Sequence, residues 1–142
     1  MIDLTPYTTF AVPASAHDCL TVRDPEALRE ALSILNAKGE RYYLLGLGAN
    51  VLFTEPYQGT ILRMAIEGIE RVAETPDHCI LRAGAGERLD TLAQLTARQQ
   101  LIGLEGLSGI PSSVGASVVQ NVGAYGQEIS ETVHRIHTLN LS

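Results

Sequence analysis

Two segments of the 142-residue sequence combine small residues with exposed backbone in a pattern that could hold an anion. The first is LLGLGANVLF (44–53), where an apolar run delivers Gly46 and Gly48 into a tight turn. Glycine tolerates positive φ and lets main-chain N–H groups reach a ligand with no Cβ in the way, the geometry of a backbone nest for a phosphate or pyrophosphate. The turn starts like a G-x-G-x-x-G dinucleotide fingerprint but does not complete it. Val51 stands where the third glycine would be, and residues 52–59 include a proline and a glycine rather than a good helix. A ligand-free turn between strands fits the same residues.

The second segment is IPSSVGASVVQNVGAYG (110–126). Pro111 can start a helical turn, Ser112 and Ser113 offer hydroxyls, and Gly115, Ala116 and Ser117 let another body come into contact with the backbone. Free N–H groups at the start of such a turn would attract an anion. The alternative is that the small residues only let two elements pack closely.

Charge bears on the choice. The formal net charge is −6, from ten Lys+Arg against sixteen Asp+Glu, and the basic residues are scattered singly. No basic footprint exists for nucleic acid or an anionic membrane. An acidic protein that holds an acidic cofactor needs main-chain donors rather than cations. Cys19 and Cys79 are far apart without a CxxC or a histidine cluster, so neither a metal site nor a disulfide scaffold is expected, and a cytoplasmic setting is. The amino terminus lacks the basic and apolar regions of a signal peptide, and no run is long enough to span a bilayer.

Other residues that could do chemistry are weaker candidates. His134 and His137 are three apart, and on a strand they would face opposite sides. Glu87 and Asp90 open a helix and complement its dipole. Glu105 could face a cofactor or cap a turn. Tyr42, Tyr43 and Tyr57 read as packing residues.

These segments need elements to hold them. DCLTVR (18–23) reads as a strand. Asp24 and Pro25 then supply an N-cap and first-turn proline for a helix with Leu28, Leu32 and Leu35 inward, and Gly39 ends it. Strands come next at 41–46, 59–64, around 69–74 and at 78–87, then a helix at 88–99 with Leu89, Leu92, Ala93 and Leu95 inward. The final stretch VHRIHTLNL alternates as a strand. The pattern is α+β (mixed α/β), opening with a β-α-β unit, with 45% hydrophobic residues available for a core.

GLGANVLF, GAGE (84–87), GLEGLSGIPSSVGASVVQNVGAYGQEI and the opening YTTF (7–10) together resemble the flavin-binding part of the UDP-N-acetylenolpyruvoylglucosamine reductases, the MurB family. The resemblance implies a vanillyl-alcohol-oxidase/PCMH-type FAD-binding fold. It has a small lobe at about 1–65 and a second lobe on an antiparallel sheet at about 66–142, with FAD between them. The family's Gly-x-Gly-Ser-Asn maps onto Gly46, Leu47, Gly48, Ala49 and Asn50, with Val51 after it. Its later pattern maps onto Ile110, Pro111, Ser112, Ser113, Val114, Gly115 and Ala116, then Gln120, Asn121, Gly123, Ala124, Tyr125 and Gly126, and the likeness counts Ser117 with the cofactor-binding residues. By likeness, the loops wrap the pyrophosphate and ribityl chain, and Tyr125 lies near the flavin ring.

Three departures stand out. Ala49 replaces a serine hydroxyl, a loss of about 1 kcal/mol. Ser112 replaces a glycine, which would strain the loop by about 1–2 kcal/mol at positive φ. Ala116 is a milder change.

The family's Tyr-Arg-x-Ser segment, proton-donating serine and glutamate lie beyond the region of resemblance, as does the domain that binds the UDP-sugar. The resemblance therefore implies a truncated FAD-binding portion of an NADPH-dependent reductase, with no catalytic residue of its own and inactive alone. A non-catalytic flavin module and another oxidase of the same fold are the alternatives. An unpaired strand at 136–141 would further invite self-association by edge pairing.

Overall fold

The structure is a computed structural model that describes residues 1–140. The chain divides into two compact units, Met1–Ile66 and Glu67–Ser142.

The first unit is a four-stranded sheet in the order β1-β2-β4-β3, formed by β1 (Ile2–Asp3), β2 (Ser15–Val22), β3 (Tyr42–Leu45) and β4 (Tyr57–Met64). β1 runs antiparallel to β2, whereas β2, β3 and β4 are mutually parallel. The opening β-α-β unit is present, but β4 inserts between its two strands. Helix α1 (Pro25–Ala37) starts where the Asp24 carboxylate accepts the Ala27 N–H at 2.7 Å, a cap worth about 1 kcal/mol. It buries Leu32 and Leu35 and ends before Gly39 at φ +63.

Leu4, Ala16, Leu45 and Ile61 form a core cluster, flanked by Tyr7, Cys19, Val51, Phe53 and Tyr57. Burying each Leu or Ile contributes about 2 kcal/mol. Tyr43, Phe53 and Tyr57 meet edge to face at 6.2–6.3 Å, the packing role read for these tyrosines. Parallel neighbours cannot be joined by a tight hairpin, so β3 and β4 need a long connection, residues 46–56. The first glycine segment therefore emerges at the carboxyl end of a parallel strand, where open α/β sheets place their ligands.

The second unit contains the antiparallel pair β5 (Ile69–Glu74) and β6 (Cys79–Ala83), then α2 (Leu89–Arg98), α3 (Val114–Gln120) and the small hairpin β7 (Gly123–Ala124) and β8 (Gln127–Glu128). The buried face of α2 is Leu89, Leu92, Ala93 and Thr96. Thr96 takes the place expected for Leu95 because the i, i+3, i+4, i+7 stripe passes through 96. Its hydroxyl is satisfied by donating to the Ala93 carbonyl at 2.9 Å. Leu89, Leu107 and Ile129 form this unit's core cluster, with Leu104, Ile110, Val118, Val122 and Val133 against it.

The terminal strand expectation is corrected. Residues 133–140 form no strand, and Leu141 and Ser142 lie outside the described residues. Alternation makes a segment compatible with a strand, but a strand forms only where a neighbour completes the ladder, and none of the described strands pairs with this segment. The edge-pairing route to self-association loses its basis over 136–140. His134 and His137 accordingly lie outside any strand.

Candidate functional site

The loop after β3 is fixed from behind by the segment before β2. The Thr9 N–H donates to the Gly48 carbonyl at 3.1 Å, and the Thr9 hydroxyl donates to the Ala49 carbonyl at 3.4 Å. Gly48 is buried with φ +65, and a Cβ there would collide with the Tyr7 carbonyl oxygen, so only glycine fits. Tyr7 is itself covered by Arg63, whose guanidinium carbon lies 4.8 Å from the ring centroid, a cation–π contact. Among the described residues, the N–H groups of Leu47, Gly48 and Ala49 make no main-chain hydrogen bond. Two of this loop's carbonyls, those of Gly48 and Ala49, are engaged, and main-chain donors are left over.

The 110–117 loop is built the other way. Helix α3 begins at Val114, three residues after Pro111, because Ser113 is its N-cap and accepts from the Ala116 N–H at 3.4 Å. The segments GAGE and SSVG lie alongside each other. The Val114 N–H donates to the Glu87 carbonyl at 2.8 Å, Gly115 N–H to Ala85 at 2.9 Å, and Leu89 N–H to Ser112 at 2.9 Å. Ser112 N–H donates to Ile110, and Ser117 N–H to Ser113, both at 2.8 Å. A Cβ on Gly115 would lie 2.9 Å from the Ala85 Cβ and 3.0 Å from its carbonyl oxygen. The expected row of free N–H groups over 111–117 is thus corrected. Pro111 has none, and those of Ser112 and of 114–117 already have partners. At Gly115 the small residue serves close packing.

The serines obey the same rule. Ser112, Ser113 and Ser117 are buried. Ser112 donates to the Ser113 carbonyl at 3.1 Å, and Ser117 to that of Val114 at 2.7 Å. Ser112 is not among the positive-φ residues, so the strain that its replacement of a glycine would have caused does not arise.

Downstream, Asn121 ends α3 in the left-handed region at φ 45, with its side-chain NH2 donating to the Glu128 carboxylate at 2.7 Å and its Oδ1 accepting from Ser130 N–H at 3.3 Å. Tyr125 (φ 51) and Gly126 (φ 80) are the two loop residues of the β7–β8 hairpin. Both have positive φ, as a type I′ turn requires. The Tyr125 side chain projects from this tip and is 92% exposed. An open hollow beside the hairpin is lined by Asn121, Gly123, Ala124, Gly126, Gln127, Glu128 and Glu131. Gly123 sits against the Gln127 carbonyl and the Glu128 side chain.

Two carboxylates prove to be structural ties. Asp90, expected only to complement the dipole of α2, accepts from Gly109 N–H at 2.7 Å, Ser108 hydroxyl at 2.9 Å and Gln94 amide at 2.7 Å. The Gly109 N–H, then the Ser108 hydroxyl, hold its carboxyl below the usual carboxylate range. It tethers α2 to the residues that lead into the 110–117 loop. Glu105 ties down the chain just before its own turn, accepting from Gly103 N–H at 2.6 Å. Its own N–H and that of Gly103 hold its carboxyl below the usual range. Cys19 and Cys79 are free thiols, and burial pushes that of Cys19 up. Nothing in the local pattern around Asp90 signals its tether, because its partners lie 18 and 19 residues away. Thr9 stands within YTTF, but that motif gives no hint of its distant partner.

A family model described as an FAD binding domain matches residues 19–141. The chain belongs to the FAD-binding domain family. It is 40% identical over 138 residues to the UDP-N-acetylenolpyruvoylglucosamine reductase of Bacteroides fragilis (strain YCH46), covering 97% of this chain and 41% of that protein. To the reductase of Escherichia coli (strain K12) it is 37% identical over 139 residues, covering 98% of this chain and 40% of that one. The chain thus spans about two-fifths of the length of these relatives. The crystal structure of UDP-N-acetylenolpyruvylglucosamine reductase (MurB) from Thermus caldophilus superposes with a TM-score of 0.64 at 32% identity, over 89% of this chain and 43% of that one. The expected kinship, the PCMH-type mixed fold and FAD as cofactor all hold on these findings. In this FAD-binding domain, the unpaired donors of Leu47, Gly48 and Ala49 suit an anionic pyrophosphate, since a chain of net charge −6 brings few cations to that task.

Proposed function

We propose that this chain is the FAD-binding portion of an NADPH-dependent reductase that converts UDP-N-acetylglucosamine enolpyruvate to UDP-N-acetylmuramate in the cytoplasm, for peptidoglycan synthesis. The observation that carries this reading is identity of 37–40% to such reductases across 97–98% of the chain. No helix among the described residues is long and apolar enough to cross a membrane, which accords with it.

Gly46 to Val51 hold the pyrophosphate with main-chain donors. The 110–117 loop acts through shape: its N–H groups are largely used internally, so its small residues present a close, rigid wall to the cofactor. Gln120, Asn121, Gly123, Ala124 and Tyr125 complete the cofactor-binding set, with Tyr125 toward the ring from its hairpin tip. FAD held by these residues would supply the hydride chemistry between NADPH and the enolpyruvyl double bond. The 142 residues contain no Tyr-Arg-x-Ser segment, and no catalytic residue is assigned to them, so the chain alone does not turn over.

Equilibrium dialysis of the apo chain against FAD and FMN tests the first half, with FAD the tighter ligand because the pyrophosphate is what the loop addresses. Equal affinities, or none at millimolar flavin, would refute it. Mass spectrometry after incubation with FAD, NADPH and the enolpyruvyl substrate tests the second. No product above a protein-free control is expected, and product would place catalytic residues within this chain.

A further inference from the structure

We infer that Thr9 is the positioning residue that turns the peptides of the Gly48–Ala49 loop so that their N–H groups face away from residues 7–9, toward a pyrophosphate. This rests on the FAD reading above and adds to it a residue outside both glycine segments.

Peptide planes carry the inference. In a trans peptide the C=O of one residue and the N–H of the next point in opposite directions, and the described chain has no cis peptide bond. Thr9 holds the Gly48 carbonyl through its main-chain N–H at 3.1 Å, so the Ala49 N–H points the other way. The Thr9 hydroxyl holds the Ala49 carbonyl at 3.4 Å, which fixes the plane of the next peptide as well. Two successive peptides are fixed by one residue some 40 positions earlier. Gly48 lets the loop come this close, since any Cβ would strike the Tyr7 carbonyl. Preset donors cost little reorganisation when the anion arrives. Without the tie the two peptides could rotate, and their carbonyl oxygens would then confront the phosphates.

The test compares the apo forms of the full 142-residue chain by equilibrium dialysis against FAD and FMN, together with thermal melts. Thr9→Ser keeps both donors, Thr9→Val removes the hydroxyl alone, and Thr9→Pro removes the N–H as well. Thr8 at φ −128, ψ 144 already has the extended backbone that a proline after it requires. We expect Ser to stay within about twofold of wild type for FAD, Val to weaken FAD by about threefold, and Pro by about tenfold or more. FMN affinity should change less in each case, so the FAD-over-FMN preference falls in that order. A merely structural role would lower the melting temperature and weaken both flavins alike. If Thr9→Pro fails to fold, the Ser–Val contrast decides. A wild-type chain that prefers FAD while Thr9→Val keeps the full preference overturns the inference alone. A wild-type chain that binds neither flavin overturns the FAD reading and, with it, this inference.

Discussion

The 46–51 and 110–117 loops look alike as strings of small residues, yet they are wired in opposite senses. In the first, Thr9 engages the carbonyls of Gly48 and Ala49, and the N–H groups of Leu47, Gly48 and Ala49 have no main-chain partner among the described residues. In the second, the carbonyls of Ala85 and Glu87 and the Ser113 side chain absorb the N–H groups of 114–116, and the serine hydroxyls turn inward. Small residues in a loop therefore show that something comes close, but not whether that something is a ligand or another piece of the same chain. One loop is a set of donors. The other is a packed wall.

Substituting the two loop glycines tests the contrast most severely. Gly48→Ala combines positive φ with a backbone collision and should cost about 2–4 kcal/mol in denaturant unfolding, with FAD binding lost from the fraction that folds. Unchanged stability would mean that the loop can leave the Tyr7 carbonyl freely. Gly115→Ala, which meets Ala85 at 2.9–3.0 Å, should cost about 1–3 kcal/mol by overpacking. FAD affinity should fall only modestly in the folded protein. A loss of FAD binding with stability intact would show instead that this loop donates to the cofactor, and would erase the distinction between the two loops.

Asp90 offers a milder probe of the second loop. Both the Gly109 N–H and the Ser108 hydroxyl bond to its Oδ1, an atom that asparagine retains. Asp90→Ala should lower the melting temperature by a few degrees, and Asp90→Asn by less. The sign of the pKa shift sets the pH response. The folded carboxyl titrates below its ordinary 3.8, so the unfolded chain binds the proton first. Its contribution is full above about pH 4 and is lost as the pH falls through the folded value. Asp90→Asn should remove that part of the acid dependence, read as a difference in melting temperature between about pH 5 and about pH 3.

The smallest effect is expected at the hairpin tip. Tyr125 occupies a positive-φ position that asparagine fills more readily, so Tyr125→Asn should stabilise the chain by about 0.5 kcal/mol. If Tyr125 contacts the flavin ring, the same change weakens FAD and shifts the bound flavin absorbance. A stabilised variant with an unaltered flavin spectrum would restrict Tyr125 to the turn.

What the sequence by itself determined is the local part of the molecule. Asp24-Pro25 starts α1 and Gly39 comes just after its end, because a cap bond spans three residues and a positive φ belongs to one. The paired glycines of 46–48 announce a turn after a strand, and the ordered motifs from YTTF to QNVGAYG carry the kinship that the FAD-binding family match bears out. Tertiary structure decided whatever depended on a distant partner. Residues 136–140 alternate like a strand but have no neighbour to complete a ladder among the described strands. Thr96 rather than Leu95 turns inward because the core lies on that side of α2. The N–H groups of 114 and 115 point at carbonyls about thirty residues earlier, while those of 47–49 meet no main-chain acceptor among the described residues and Thr9 takes the carbonyls of Gly48 and Ala49. A hydrogen-bonding group is fixed by its residue type, but its availability depends on which other group reaches it first, and only the folded chain brings those groups together.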